Sequence, residues 1–397
     1  MLSAKQMKSL PYFFKEIPDP RRAQGRRHQL FCVLAIAAAA ILCGMEGYKA
    51  ISDWANNLGK KARRRFGCRR EDGRYVVPSE SVIRDCLVRV GPESLDNALK
   101  GWKKDHGRQD NSIAIDGKTM KNAIDEQGHQ THIMSAIGHE SKECFTQINV
   151  GTLPPKGDEE AKRTNEIGMA IPLLEAIPDI AGKTITADAL LTQRKIAEYI
   201  LERGGDYCFT VKENWPVLLA DIKLFFQDRQ EPDYTVTDPP DHGRIETRKI
   251  WTTTELNGFL DFPHVGQVFA IERQTIVKKT GKCSFEVAYG ITSKPPEQAD
   301  AEEILYTNRL HWGIESIHYI IDWNFDEDRS RIRTGYGPEN ITRLRRFAIG
   351  LIKSKMISKG LKCRTSVAQM MRQLSFNVRQ VLDFIKMTEN SGAYTTA

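Results

Sequence analysis

No two of the eight cysteines, at positions 32, 43, 68, 86, 144, 208, 283 and 363, form a CxxC pair. That scatter argues against a zinc ribbon and gives no sign of a disulfide framework; most of the thiols read as small buried hydrophobes. Long apolar runs are missing too. The longest, "LFCVLAIAAAAILC" from Leu30 to Cys43, is shorter than the ~20 residues a helix needs to cross a bilayer, and its alanines suit a buried helix. The N-terminus "MLSAKQMKSLPYFFKEIPDP" lacks the apolar stretch and small-residue cleavage site of a secretory signal. A cytoplasmic protein with no membrane partner is expected. There is also no HExxH order, no internal repeat and no low-complexity tract.

What is present is an ordinary globular composition over 397 residues, 40% hydrophobic and 27% charged, enough for two or three domains. The net charge of +7 is unevenly spread. Residues 1–110 carry a balance of +10 and the remainder −3. The runs "RRAQGRRH" (21–28) and "KKARRRFGCRR" (60–70) concentrate the excess, and a second basic cluster runs from Arg329 to Lys362 and includes Arg331. Either run alone reads equally well as a solvated loop. Basic density of this kind in a helical region suits a phosphate backbone.

The periodicity divides the chain. Residues 1–105 read as helical: a buried helix at 29–43, then Tyr48, Ile51, Trp54 and Leu58 on one face, then two helices after Ser79 separated by Gly91. From 106 to about 355 the order is three strands, helix, strand, helix, strand, with strands at "NSIAIDGKTM", "HIMSAIGHES", "CFTQINVGTL", "GKTITADALL" and "DYCFTVKEN". That is a mixed α/β pattern with crossover helices. Residues 213 to about 300 read as an all-β stretch of antiparallel strands. Residues 356–397 are expected to hold a C-terminal helix and a flexible tail.

"NRLHWGIESIHYIIDWNFDED", 308–328, reads as one helix. Its apolar stripe is Leu310, Ile314, Ile317, Ile321 and Phe325, and a second line runs one residue later: His311, Glu315, His318 and Asp322. A surface helix normally keeps its charges on the far side from its buried stripe, so this polar line needs partners. Asp116 and Asp188 each end a short apolar strand, where ligands gather in sheets with crossover helices. With Glu315 on a returning helix they make a hard-oxygen set suited to Mg²⁺ or Mn²⁺, two ions able to share a bridging Asp. A helical His/Glu zinc site and a purely structural polar line are the alternatives.

These residues sit in motifs that resemble a known family. "IPDPRRAQGRRH", "ILCGMEGYKAISDWA" and "PSESVIRDCL", then "IAIDGKTM", "TNEI", "ITADALLTQ", "TVKEN", "HGRIETR" and "HWGIESIHYIIDWNFDEDRSRIR", in that order, resemble DDE transposases of bacterial insertion sequences. The branch is the one containing the H-repeat-associated proteins. The resemblance implies an all-helical, basic DNA-binding domain at 1–105 and an RNase H-like α/β catalytic core at 106–355 with a β-rich insertion at about 213–300. It implies Asp116, Asp188 and Glu315 as catalytic residues and as the ligands of Mg²⁺ or Mn²⁺, two ions in the site. It further implies binding of the element's terminal inverted repeats, DNA strand cleavage and transfer of the 3′-hydroxyl into target DNA, by a homodimer on DNA.

The wider group often places Tyr, Arg and Lys around its Glu. Asn308, His311 and Asp322 stand at those positions here, with Tyr306 and Arg309 nearby. Candidate DNA contacts are Lys118, Lys212, Arg244, Arg309, His311, Trp312 and Arg331, with core packing the plainer reading of Trp312 and a helix cap that of Glu166. A catalytically silent DNA-binding relic or regulator, and a nuclease with the same core, are the competing functions.

Overall fold

The computed structural model describes residues 8–126, 128–152, 159–229, 231–241, 243–358 and 366–388. Residues 10–106 form helices α1 (Leu10–Phe14), α2 (Leu30–Leu42), α3 (Tyr48–Asn56), α4 (Lys60–Arg65), α5 (Glu80–Arg89) and α6 (Pro92–His106), with a small hairpin of β1 (Arg70–Glu71) and β2 (Arg74–Tyr75) before α5. Then follow β3 (Ser112–Ile124), β4 (Gln130–Gly138), β5 (Cys144–Thr152), α7 (Glu159–Glu175), β6 (Thr184–Ala187), α8 (Arg194–Glu202) and β7 (Asp206–Val211). The next elements are α9 (Pro216–Phe225), β8 (Tyr234–Thr237), β9 (Arg244–Thr253), β10 (Gln267–Val277) and β11 (Cys283–Thr292). The chain returns through α10 (Ala301–His311), α11 (Gly313–Phe325) and α12 (Gly337–Ser358), then α13 (Val367–Phe376) and α14 (Val378–Phe384).

Helix α2 is buried on every side except at Phe31. Its alanines carry no long side chains, so α1, α3, α5 and α12 all pack directly on it. One continuous apolar core therefore joins the N-terminal helices to α11, α12, α13 and α14. Arg345 and Glu327, both essentially without exposed surface, are paired at 3.0 Å inside it, and a second Arg345 nitrogen donates to the Glu46 carbonyl.

The sheet has nine strands in the order β5-β4-β3-β6-β7-β11-β10-β9-β8. β3, β6 and β7 are parallel neighbours and the other pairings are antiparallel. Ile113 and Ile115 of β3 share a core with Leu173 and Leu174 of α7 and Ile196 of α8. Ala114, pointing the other way by the period of two, shares its core with Ile314 and Ile317 of α11. So α7 and α8 cover one face near the sheet's centre and α11 covers the other.

Two expectations need correction. The stretch from 213 to 300 is not all β: Pro at the first helical position starts α9, which buries Leu218, Leu219 and Ile222. Its strands continue the core sheet, because β11 pairs with β7 from Tyr289↔Val211 to Thr292↔Cys208. The segment 308–328 is two helices rather than one. Trp312 caps α10 and precedes α11, and a Cβ on Gly313 would collide with the Lys142 ammonium. Among the motif residues, His242 lies outside the described residues, as do Lys362 and the tail from 389 that was expected to be flexible.

Candidate active site

The pairing of β3 with β6 ends at Ile115↔Ala187. The next residue on each strand is an aspartate, Asp116 and Asp188, so the two carboxylates leave adjacent strands about 5 Å apart. Asp116 was expected at a strand end. Instead it sits inside a long strand, because β3 continues against β4 through Asp116↔Ser135 to Met120↔Thr131. Only β6 stops, which opens a crevice beside Asp116. Asp188 begins the 3-10 turn Ala189–Leu191 and accepts a hydrogen bond from the Leu191 amide at 3.3 Å. Glu315 stands in the first turn of α11, whose apolar stripe Ile314, Ile317, Ile321 and Phe325 is buried. Among the described residues its carboxylate has no hydrogen-bond or ion-pair partner.

The polar line beside that stripe lies along the sheet. His311 Nδ1 is 3.0 Å from Thr186 Oγ1 on β6, and His318 Nδ1 is 3.4 Å from Asp116 Oδ2 on β3. Lys118 on β3 donates to Asp322 at 2.8 Å. Burial keeps both histidines from protonating: His311 is pushed down to about 4, and His318 well below its usual range with help from Arg346 and Lys118. His318 is thus a neutral neighbour of Asp116, not a counter-charge.

The carboxylates repel one another. Asp116 is pushed up to about 7, first by burial, then by the charges of Asp188, Glu166 and Glu315, against the Gly117 amide that donates to it at 2.8 Å. Asp188 is raised by burial and by Glu166, against the Leu191 amide and Lys212. Glu315 is raised by burial and by Asp188, against Lys212. Among the described residues no three acidic, histidine or cysteine side chains already stand at metal-ligating spacing. The donor set still fits a divalent cation: hard oxygens on adjacent elements, with unneutralised charge that a cation would relieve.

A cavity of about 840 Å³ opens on Asp188 and Glu315, while Asp116 lies outside its lining. Asp188 and Glu315 line it together with Lys142, Lys212, Lys223, Arg248, Arg273, Arg309 and Lys353. Glu213 and Glu286 also line it, so seven cationic side chains stand against four carboxylates. Lys142 is pushed down to about 8 by burial and by Lys353, and Lys353 is lowered by burial.

The family description "Transposase DDE domain" matches residues 109–343. The chain belongs to the DDE transposase family. A second description, "DDE_Tnp_1-associated", matches residues 12–103. Among relatives, "H repeat-associated putative transposase YhhI" of Escherichia coli (strain K12) is 29% identical over 387 residues, covering 92% of this chain and 96% of that one. "Uncharacterized protein in dhlA 3'region" of Xanthobacter autotrophicus is 31% identical over 293 residues, covering 71% and 93%. The piggyBac transposase synaptic complex with hairpin DNA aligns over 98% of this chain and 79% of its own, at 11% identity and a TM-score of 0.40, too low to bear on the fold. The family and its H-repeat-associated branch are those that the motifs resemble. No helix among the described residues is long and apolar enough to cross a membrane.

Within this DDE family chain the other candidate contacts are placed as follows. Lys212, Arg309, His311 and Trp312 line the cavity. Arg309 is paired with Asp238 at 2.8 Å. Lys118 is 9% exposed and held between Asp322 and Asp328. Arg244 and Arg331 are exposed and outside the cavity. Trp312 is 56% exposed, so the core-packing reading of it is corrected. Glu166 lies well inside α7 and does not cap it.

Sequence reasoning missed Lys142, Lys353 and an aromatic pair. Tyr319 and Trp323, four apart on α11, are 62% and 74% exposed and stack with centroids 6.0 Å apart. With Trp312 they continue the face that carries Glu315. Their i, i+4 spacing was the available signal.

Proposed function

We propose that this chain is a metal-dependent DNA transposase that cuts at its own element's ends and transfers the 3′-hydroxyl into target DNA. The observation that carries this is the adjacency of Asp116 and Asp188 at the end of β6, with Glu315 presented by α11 beside a cation-rich cavity. The strand order β5-β4-β3-β6-β7 and the crossover helices α7 and α8 support an RNase H-like core.

Asp116, Asp188 and Glu315 would hold Mg²⁺ or Mn²⁺, two ions in the full site. Bound there, the metal supplies the charge that favours a water or 3′-hydroxyl nucleophile and the leaving oxygen of an in-line displacement. The chain's own groups do the rest. His318 keeps Asp116 oriented without neutralising it. Lys212, Lys142 and Lys353 offer positive charge to phosphates entering the cavity. Trp312, Tyr319 and Trp323 offer flat faces to bases that leave the stack. The basic helices of 1–105 read the terminal repeats, 106–355 carry out the chemistry, and 356–397 complete the helical core. Joining two element ends needs two catalytic units, hence a homodimer on DNA.

The test is linear DNA bearing the element's own ends, incubated with the purified protein and Mg²⁺ or Mn²⁺, beside Glu315→Gln. Cleavage at the boundary by the wild type, and binding without cleavage by the variant, supports the reading. End binding without cleavage by the wild type under either metal would replace it with a silent DNA-binding regulator.

A further inference from the structure

Glu166 lies on α7, on the sheet face away from α11, and no part of the three-carboxylate set calls for it. Its Oε1 stands 2.9 Å from Nε2 of His132, a β4 residue with no exposed surface. His132 Nδ1 in turn meets Thr119 Oγ1 at 2.7 Å. The pair rests on bare backbone: a Cβ on Gly117 would come within 2.6 Å of His132 Nε2 and 3.1 Å of Glu166 Oε1. Gly117 directly follows Asp116. The "DG" of "IAIDGKTM" therefore makes room for Glu166 beside the first aspartate.

Glu166 is held largely out of solvent, with 12% of its side chain exposed, and its Oε1 is the oxygen that meets His132. An anchor of α7 to β4 would need only an uncharged hydrogen-bonding side chain, whereas a carboxylate set against Gly117, the residue next to Asp116, brings a further hard oxygen donor up to the first aspartate.

We propose that Glu166 is a fourth oxygen ligand of the divalent-cation site, aimed by His132 and given room by Gly117. This rests on the cation reading above. It explains why a buried histidine from one strand and a missing side chain on the next converge on a helix residue that the family's three-letter signature does not include. His132 is then a positioning residue, fixing one carboxylate oxygen so that the other is offered to the crevice.

The test is calorimetric titration of the full-length protein with MnCl₂, without DNA, for wild type, Glu166→Gln, Gly117→Ala and Asp116→Asn. Melting temperatures in chelator and affinities for end DNA are measured alongside. Glu166→Gln is expected to weaken Mn²⁺ binding roughly tenfold or more while leaving DNA affinity unchanged. Its melting temperature in chelator should be equal or higher, because a repulsive charge is gone. Gly117→Ala, which displaces the pair without removing a carboxylate, should weaken Mn²⁺ binding in the same direction. Wild-type Mn²⁺ affinity and stoichiometry in Glu166→Gln, with binding lost in Asp116→Asn, would overturn the proposal and leave Glu166 as an anchor for α7. Wild-type Mn²⁺ binding in Asp116→Asn as well would overturn the cation reading itself.

Discussion

Asp116 and Asp188 stand side by side on parallel strands, each one residue past Ile115↔Ala187, the last position at which β3 and β6 pair. Glu315 approaches them from α11, and burial together with mutual repulsion raises all three carboxyls, at the expense of the fold's stability at neutral pH.

That expense is measurable as a pH dependence. In the folded chain the Asp116 carboxyl titrates at about 7, above its ordinary value of 3.8, so between those values the folded state binds more protons than the unfolded state. Stability contributed by Asp116 is therefore complete below about pH 4 and is lost as pH rises to 7. In chelator at pH 8, Asp116→Asn should be more stable than wild type, by at most about 4 kcal/mol. Melting curves from pH 5 to 8 check this. A wild type that gains nothing at pH 5 relative to Asp116→Asn would contradict it.

Breaking the Glu327–Arg345 pair should be costly in the ordinary direction. It is fully buried and ties the turn after α11 to α12, with Glu46 joined through its carbonyl. Arg345→Met leaves a buried carboxylate unpaired, and a loss of about 3–5 kcal/mol is expected by denaturant unfolding. The double variant Arg345→Met, Glu327→Leu should recover much of it.

Lys142 and Lys353 repel one another on the wall of the cavity that Asp188 and Glu315 also line. Replacing Lys353 with Met should weaken DNA binding on all sequences and lower the slope of log affinity against log salt by about one. Stability should hold or rise. An unchanged salt slope would remove Lys353 from the phosphate-binding face.

The exposed Tyr319–Trp323 stack has no packing role to lose. Trp323→Ala should leave the melting temperature in place while weakening binding to end DNA with unpaired bases by about 1–3 kcal/mol. Equal weakening on fully paired DNA would argue for backbone contact instead of stacking.

Much of the strand and helix order was legible because local signals agreed with the fold. The helix in "TQRKIAEYILERGG" stops at Gly204, φ +72, the left-handed stop that a helix terminus favours. The alternation in "DYCFTVKEN" and the stop of β6 just before Asp188 were equally plain. What the sequence hid depends on partners far along the chain. "DG" after "SIAI" looks like a turn. The chain runs straight on, because Lys118 and Met120 keep the alternation and β4 supplies the partner strand. Gly117 is there for His132 and Glu166, which lie 15 and 49 positions later. A polar line beside an apolar stripe showed that α11 must face something; only the sheet shows that His318 meets Asp116 and Asp322 meets Lys118.

The most direct test compares wild type and Asp188→Asn on the element's own ends, with Mg²⁺ and at protein concentrations giving equal DNA occupancy. Expected is boundary cleavage by the wild type and a loss of at least about a thousandfold in the variant, with end binding intact. Cleavage by Asp188→Asn at a rate near wild type would contradict the assignment of this crevice as the active site.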